Sequence, residues 1–282
     1  MSSLYQQLDA PMFDYSLATL ADVPEHALRG PLPNLNEPYV AFVGGAQTFA
    51  RFVAEPFANL VAKHLGLGCL NLGLGGAGPR WPADARVLPI LQRAKLVVVQ
   101  CFAGRSASNS LFDNGSTGRN SGRYLFTGDC LTYEQFLDEV MARQDLSLLQ
   151  RVVHETRDDY ACSMRHLGHC LSVPTVLLWL GRRRPEYTID WRHRHGILNH
   201  FPQLLDRAVV DRVRPFFRGY VECASEQGLP QRLWPAVQAV DGTVLGADGY
   251  LRNEYYPSPE MHQQAADLLL PVCRQVLADA AL

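Results

Sequence analysis

From Tyr39 onward, short apolar runs alternate with segments in which apolar residues recur every three or four positions. Tyr39–Val43 is such a run; it ends in two glycines, and a helical stripe interrupted by Pro56 follows it. Similar runs occur at Cys69–Leu72, Leu96–Gln100, Val173–Leu180 and Tyr220–Cys223. Helices are predicted over Ala83–Arg93, 132–141 and 146–169, from Pro202, and over Pro259–Ala280. Strands that alternate with helices predict a mainly parallel sheet covered on both faces, a three-layer α/β/α fold.

The segments in which this pattern is absent or interrupted indicate how the chain is organised. Five prolines break residues 1–38, which predicts an irregular N-terminal arm, and residues 39–282 are predicted to form a single α/β domain. A loop or helical insertion is expected at about 103–170, because 103–128 is rich in Ser, Gly and Asn. Thr132 and Gln135 have the spacing of a capping box at the start of a helix.

Composition narrows the class of protein. The 282 residues are 47% hydrophobic and 19% charged, with a formal net charge of -2, which is typical of a globular protein and not of a nucleic-acid binder. No apolar run approaches the roughly 20 residues that cross a bilayer, and no secretory signal is visible, so a cytoplasmic location is predicted. The seven scattered cysteines are expected to be reduced.

Four motifs follow these strands in a recognisable order: Val43–Thr48, Asn71–Gly73 with Gly76, Val97–Asn109, and Asn253–His262. In this order they resemble the sequence blocks of SGNH (GDSL-like) hydrolases, over about Tyr39–Ala281, and the chain resembles an uncharacterised bacterial family with that core. The resemblance implies an SGNH/flavodoxin-like sheet with a ligand site at the carboxyl ends of the strands. In those hydrolases a serine attacks an ester while a histidine, oriented by an aspartate, accepts its proton.

The catalytic positions of that family hold other residues here. Ala46 stands at the serine position, Asn253 at the aspartate position and Tyr256 at the histidine position. A degenerate triad of this kind argues against the standard esterase mechanism, because a methyl group cannot attack a carbonyl. The alternative is a divergent ester hydrolase or acyltransferase in which Thr48 and His262 act as nucleophile and base, provided that they meet at hydrogen-bond distance.

The remaining candidate residues favour binding. Backbone N–H groups near Gly45 and Gly73 could form an oxyanion-like cradle, or these glycines could serve only tight turns. The arginines that follow the Val173–Leu180 strand could clamp an anion or lie in a solvated loop. The predicted ligand-binding residues are Gly44, Gly45, Ala46, Gln47, Asn71, Gly73, Gly76, Gln100, Asn109, Arg182, Arg183, Arg184, Asn253 and Tyr256.

Two groups of residues are candidates for a cofactor or metal site. Gly73, Gly75 and Gly78 match a bare dinucleotide-loop pattern, but the acidic residue that such a loop needs about 20 residues later is missing. Cys162, His166 and His169 share a helical face and form a weak alternative zinc site, so the prediction is no cofactor and no metal.

The sequence thus predicts an SGNH-like protein that binds a carbohydrate-, acyl- or anion-bearing small molecule or glycan, with a possible role in bacterial surface-glycan metabolism. Neither nucleic acid nor a membrane is an expected partner, and the oligomeric state is left open. A partner-binding scaffold is the third alternative, after the divergent esterase.

Overall fold

A computed structural model describes residues 4–9, 12–115 and 120–281. Residues 1–3 and 10–11 of the predicted arm, and residues 116–119 of the predicted 103–128 loop, lie outside the described residues. The strands are β1 (Tyr39–Gly44), β2 (Gly68–Gly73), β3 (Leu96–Gln100), β4 (Phe112–Asp113), β5 (Ser121–Tyr124), β6 (Cys130–Thr132), β7 (Thr175–Gly181), β8 (Gly219–Ala224), β9 (Gln231–Pro235), β10 (Thr243–Leu245) and β11 (Tyr250–Asn253). The helices are α1 (Leu4–Asp9), α2 (Ala46–Phe49), α3 (Phe57–Leu65), α4 (Leu88–Leu91), α5 (Tyr133–Ala142), α6 (Leu146–Cys170), α7 (Arg194–Leu198), α8 (Arg207–Val213) and α9 (Pro259–Asp279).

The central sheet has five parallel strands in the order β2-β1-β3-β7-β8. Alternate strand residues face opposite sides, so Phe42 and Val98 pack towards α3 and α9, whereas Val43 and Val99 pack towards α6 and α8. The three inner strands, β1, β3 and β7, are buried on both faces, as parallel strands between two helical layers must be. The predicted three-layer α/β/α fold is therefore confirmed.

Several local signals acted as predicted. Thr132 caps α5 in a capping box, with its side chain accepting from the Gln135 N–H and the Gln135 side chain accepting from the Thr132 N–H. Ser258 caps α9, in which Pro259 occupies the first turn. These contacts lie within one turn of chain, which is why the sequence alone can predict them.

Two predicted helices differ from the structure. Only α4 forms within 83–93, because Pro82 and Pro89 lack the N–H groups that a continuous helix needs and the preceding segment forms successive turns. The helix predicted from Pro202 begins at Arg207 instead, where the Asp206 side chain accepts from the Val209 N–H. Leu204 has φ +65, a left-handed conformation that a right-handed helix excludes.

The structure adds two small antiparallel sheets to the predicted plan. One joins β4, β5 and β6 within the region predicted as a loop or insertion, and it packs with α5 and α6 around Phe112, Tyr124 and Phe136. The other, in the order β10-β11-β9, precedes α9 and was not predicted. Its strands are half exposed and lack a long apolar run, so hydrophobic pattern alone does not reveal them.

The segment before β1 packs against the central sheet through a buried arginine. The backbone of Arg29 forms an isolated antiparallel β-bridge with Asn71 on β2. Its guanidinium donates to the carbonyls of Ala50, Val53 and Ala54 at 2.8–3.0 Å. These carbonyls belong to the link between α2 and α3, so the cation satisfies backbone groups that no helix satisfies.

Within the described residues, every helix is too short or too polar to span a bilayer.

Candidate functional site

The turn after β1 is held rigid by a side chain from β3. Gln100 Oε1 accepts hydrogen bonds from Thr48 Oγ1 at 2.6 Å and from the Gly45 N–H at 3.2 Å. Gly44 permits this approach, because a Cβ at that position would collide with both Thr48 and Gln100. The Gly45 N–H that was predicted to bind an anion is therefore already used within the protein.

The turn after β2 is held by Asn71 in a similar way. Asn71 Nδ2 donates to the Thr48 carbonyl at 2.8 Å, and Asn71 Oδ1 accepts from the Gly73 N–H at 2.9 Å. A Cβ on Gly73 would overlap the backbone of Thr48 and Phe49, so this glycine serves close packing between the two turns. Of the predicted N–H cradle, which runs over Gly45–Thr48 and around Gly73, the Gly45 and Gly73 donors have internal acceptors, and the rest of the cradle stays a prediction.

Asn253 organises the turn that precedes α9. Its Oδ1 accepts from the N–H groups of Tyr255 and Tyr256 at 3.1 and 2.8 Å, and its Nδ2 donates to the Tyr256 carbonyl at 3.0 Å. The Tyr256 hydroxyl accepts from Arg51 Nη1 at 3.2 Å, and burial raises the pKa of Tyr256, which keeps the phenol protonated at neutral pH. Asn253 thus fixes the backbone that places the two tyrosines.

Thr48 and His262 do not form the predicted nucleophile and base. Both side chains are fully buried, and Thr48 donates to Gln100. His262 Nδ1 accepts from the Phe57 N–H at 3.1 Å, and its ring stacks on Phe57 with centroids 5.5 Å apart. Burial, with a smaller contribution from Arg29, lowers the pKa of His262 to about 3. Because each side chain has a different partner, neither can activate the other.

The three arginines after β7 do not act as one clamp. Arg183 donates to the carbonyls of His200, Pro202 and Leu205, and burial lowers its pKa to about 10. Arg182 is paired with Glu226 at 2.8 Å, whereas Arg184 is exposed. The predicted clamp is therefore wrong for Arg183, whose donors satisfy the backbone.

The remaining predicted residues also have local partners. Asn109 donates to Thr156 Oγ1 at 3.0 Å and accepts from the N–H groups of Leu111 and Phe112, so it orders its own loop. Cys162, His166 and His169 lie along α6, with His169 packed on Phe216. Among the described residues, no three His, Cys, Asp or Glu side chains come together in a way that could hold a metal ion, which counts against the zinc alternative.

A cavity of about 260 Å³ opens where the loops after β1, β2 and β3 meet. We call it the strand-end cavity, and parallel sheets generally bind ligands at this edge. Five of the predicted residues lie on its wall: Gly45, Ala46, Gln47, Gly76 and Tyr256. Its other lining residues are Gly75, Ala77, Ala103, Arg105, Ser106, Asn120, Phe201, Asp241 and Tyr255.

A second cavity of about 480 Å³ lies beside the first and shares Arg105 and Tyr255 with it. We call it the lateral cavity. Arg182 is the one predicted residue on its wall; the others are Glu134, Arg194, His195, Leu198, Asn199, His200, Gln203, Gly242, Thr243, Val244 and Glu254.

The residues between the two cavities were missed by sequence reasoning. Arg105 forms an ion pair with Glu134, and its Nη2 lies 3.5 Å from the Tyr255 hydroxyl. Gln203 Nε2 donates to the same hydroxyl at 2.8 Å. Tyr255 and Arg105 each had a sequence signal, because they lie within the motifs Asn253–His262 and Val97–Asn109. Gln203 lies outside every motif.

Several solved structures are similar to the chain at low identity. A carbohydrate esterase family 2 enzyme with a carbohydrate-binding domain from Corynascus thermopiles (Myceliophthora fergusii) is 13% identical, over 90% of this chain and 70% of that one, with a TM-score of 0.39. A lipase from a goat rumen metagenome is 9% identical, over 82% of this chain and 95% of that one, with a TM-score of 0.41. A carbohydrate esterase family 3 structure from Talaromyces cellulolyticus is 11% identical, over 86% and 99%, with a TM-score of 0.36.

Likenesses this distant concern the fold and assign no activity to this chain. No curated protein sequence matches it. A family model matches residues 4–121 and 130–277, which together make up most of the sequence. The chain therefore belongs to the family described as a domain of unknown function (DUF6473).

Proposed function

We propose that this protein binds a small carbohydrate-, acyl- or anion-bearing molecule in the strand-end cavity and does not hydrolyse esters through a serine nucleophile. One observation carries the proposal. At the positions that correspond to the catalytic serine and histidine of the SGNH motifs, the cavity wall has the Ala46 methyl group and the Tyr256 phenol. None of the described residues on that wall is a histidine. A hydroxyl group there would have no imidazole to accept its proton.

The wall is suited to holding a polar ligand. Arg105, Gln47 and Asn120 supply hydrogen-bonding side chains, while Phe201 and the two tyrosines supply aromatic surface. A binding site commonly combines apolar surface with a few polar groups that orient the ligand. The rigid turns beneath the wall, fixed by Gln100 and Asn71, keep this arrangement preformed. A role in surface-glycan metabolism and a cytoplasmic location stay predictions.

The binding proposal is tested by filling the cavity. The Ala46→Trp variant should lose the ligand-induced rise in melting temperature that the wild type shows with one member of a panel of neutral sugars, acyl-CoA, nucleotide sugars, sulfate and phosphate. Ala142→Trp, at an exposed position on α5 that lines neither cavity, is the matched control and should respond like the wild type. Absence of any response in the wild type, or a response that survives Ala46→Trp, contradicts the proposal.

A second measurement tests the chemistry. We expect p-nitrophenyl acetate hydrolysis at the buffer rate for the wild type and also for Ala46→Ser, because no histidine among the described residues of the wall can accept the proton of the restored hydroxyl. Turnover by the wild type that disappears in Thr48→Ala and in His262→Ala would instead establish the divergent esterase.

A further inference from the structure

The sizes of the two cavities indicate a ligand that occupies both. Small-molecule sites usually measure roughly 300–1,000 Å³, and the strand-end cavity, at about 260 Å³, falls below that range. The lateral cavity, at about 480 Å³, lies within it. Arg105 and Tyr255 line both spaces, so a ligand that contacts these side chains from both sides occupies the two cavities together.

Three polar groups at this junction have no hydrogen-bond partner for one of their atoms among the described residues. The Tyr255 oxygen accepts from Gln203 Nε2 and, at longer distance, from Arg105 Nη2, so the phenol proton is left to donate elsewhere. Gln203 is 4% exposed, yet its Oε1 has no partner among the described residues, and the same holds for the buried Arg105 Nε. Two donors and one acceptor are therefore unsatisfied beside the two cavities, and a buried polar atom without a partner is costly.

A pair of neighbouring hydroxyl groups complements this set. Each hydroxyl accepts as well as donates, so a vicinal diol can accept from Tyr255 and Arg105 while it donates to Gln203. An ionised carboxylate has only acceptor oxygens and would face the Gln203 Oε1 without a proton to offer it.

The charges around the cavities also favour an uncharged ligand. Each arginine among the described residues on the two walls has a carboxylate partner: Arg105 pairs with Glu134, Arg182 with Glu226 and Arg194 with Asp138. Asp241 and Glu254 add negative charge to the walls. Burial and Arg182 lower the pKa of His200, so this imidazole is neutral at neutral pH. An anion would lose its hydration and find no uncompensated cation in return.

We infer that the ligand is a neutral oligosaccharide of at least two sugar units, one in each cavity, whose vicinal hydroxyl groups bind Tyr255, Arg105 and Gln203 at the junction. This inference rests on the proposed binding function. Phe201, Tyr255 and Tyr256 provide the aromatic surface on which the apolar face of a sugar ring can pack. Tyr255 is then the residue that determines specificity for a diol.

The test compares sugars of different length and charge by calorimetry and saturation-transfer NMR on the full chain. The probes are cellobiose, maltose and chitobiose, the monosaccharides glucose and N-acetylglucosamine, and the anions glucuronic acid and inorganic phosphate. At least one neutral disaccharide should bind about tenfold or more tightly than its monosaccharide, and Tyr255→Phe should weaken that binding about tenfold, since a hydrogen-bond donor to the ligand is lost. Gln203→Met should weaken it similarly.

The matched control is Tyr250→Phe, which removes a hydroxyl on β11 that lines neither cavity and should leave the affinity unchanged. Equal affinity for monosaccharides and disaccharides, tighter binding of glucuronic acid or phosphate, no binding of any disaccharide, or an unchanged affinity in a folded Tyr255→Phe variant would each overturn the inference. The failures of the two proposals can be told apart. If a ligand of the earlier panel raises the melting temperature of the wild type but not of Ala46→Trp, and any of these outcomes is also observed, the strand-end site is supported and only the oligosaccharide inference is overturned.

Discussion

Replacement of Arg51 by methionine is expected to lower the free energy of unfolding by about 3–5 kcal/mol, because it leaves a buried carboxylate without its cation. Arg51 and Asp9 are both fully buried, and the guanidinium binds the carboxylate through two contacts, Nε to Oδ2 at 2.6 Å and Nη2 to Oδ1 at 3.1 Å. Asp9 also accepts from the Tyr15 hydroxyl, which alone cannot compensate the charge. Urea denaturation of the wild type and the Arg51→Met variant measures the difference.

Arg212→Met provides the control for this substitution. Arg212 pairs with Asp158 at 2.7 Å, but the two side chains are 48% and 62% exposed, so its loss should cost no more than about 1 kcal/mol. A cost for Arg51→Met as small as that of the control would contradict the role assigned to the buried pair.

The Arg51→Met substitution should also affect the strand-end cavity. Arg51 Nη1 donates to the Asp241 carbonyl at 2.8 Å and to the Tyr256 hydroxyl at 3.2 Å, and both acceptor residues line that cavity. The buried pair therefore connects α1, which ends at Asp9, to the candidate binding wall. At temperatures where Arg51→Met remains folded, it should also bind ligand more weakly than the wild type.

The second large effect is a loss of stability in acid that depends on His262. Burial holds the pKa of this imidazole near 3 in the folded protein, whereas the unfolded chain gains the proton near the ordinary value of 6.5. Below pH 6.5 the unfolded state therefore binds more protons than the folded state. The stability that the neutral, buried His262 contributes is fully present above pH 6.5 and is lost as the pH falls towards 3, at about 1.4 kcal/mol per pH unit.

The His262→Asn variant isolates this contribution. An asparagine oxygen can still accept from the Phe57 N–H but does not titrate, so the stability of the variant should fall less steeply with decreasing pH than that of the wild type. Urea denaturation at a series of pH values gives both curves. Curves that run parallel between pH 6 and pH 4 would show that His262 does not titrate as its burial implies.

The sequence by itself determined the elements whose causes are local. A run such as Leu96–Gln100 forms a buried strand because its apolar residues need cover on both faces, and the alternation of such runs with helical stripes fixes the three-layer fold. The capping box of Thr132 and Gln135 is equally local, because its four groups lie within one turn. The order of motifs likewise predicted that Ala46 and Tyr256 would lie near the strand ends, and both line the cavity there.

Tertiary structure decided which polar atoms are left over for a ligand. Thr48 and His262 are a reasonable catalytic pair by residue type, but Gln100 and Phe57 satisfy them from distant points of the chain. Arg183 likewise binds backbone carbonyls of the segment between α7 and α8. Whether a donor is free depends on every group packed around it, and sequence spacing carries no information about that.

The junction of the two cavities is also formed by residues that only the tertiary structure brings together. Arg105, Gln203 and Tyr255 follow β3, α7 and β11. Arg105 and Tyr255 lie within two of the four motifs, but no pattern in the sequence marks these three residues as neighbours. Folding brings their side chains together, and only then do the contacts among them show which donors and acceptors have no protein partner. Neither the contact between these residues nor their unsatisfied atoms can be predicted from the sequence, because both arise from packing between distant segments.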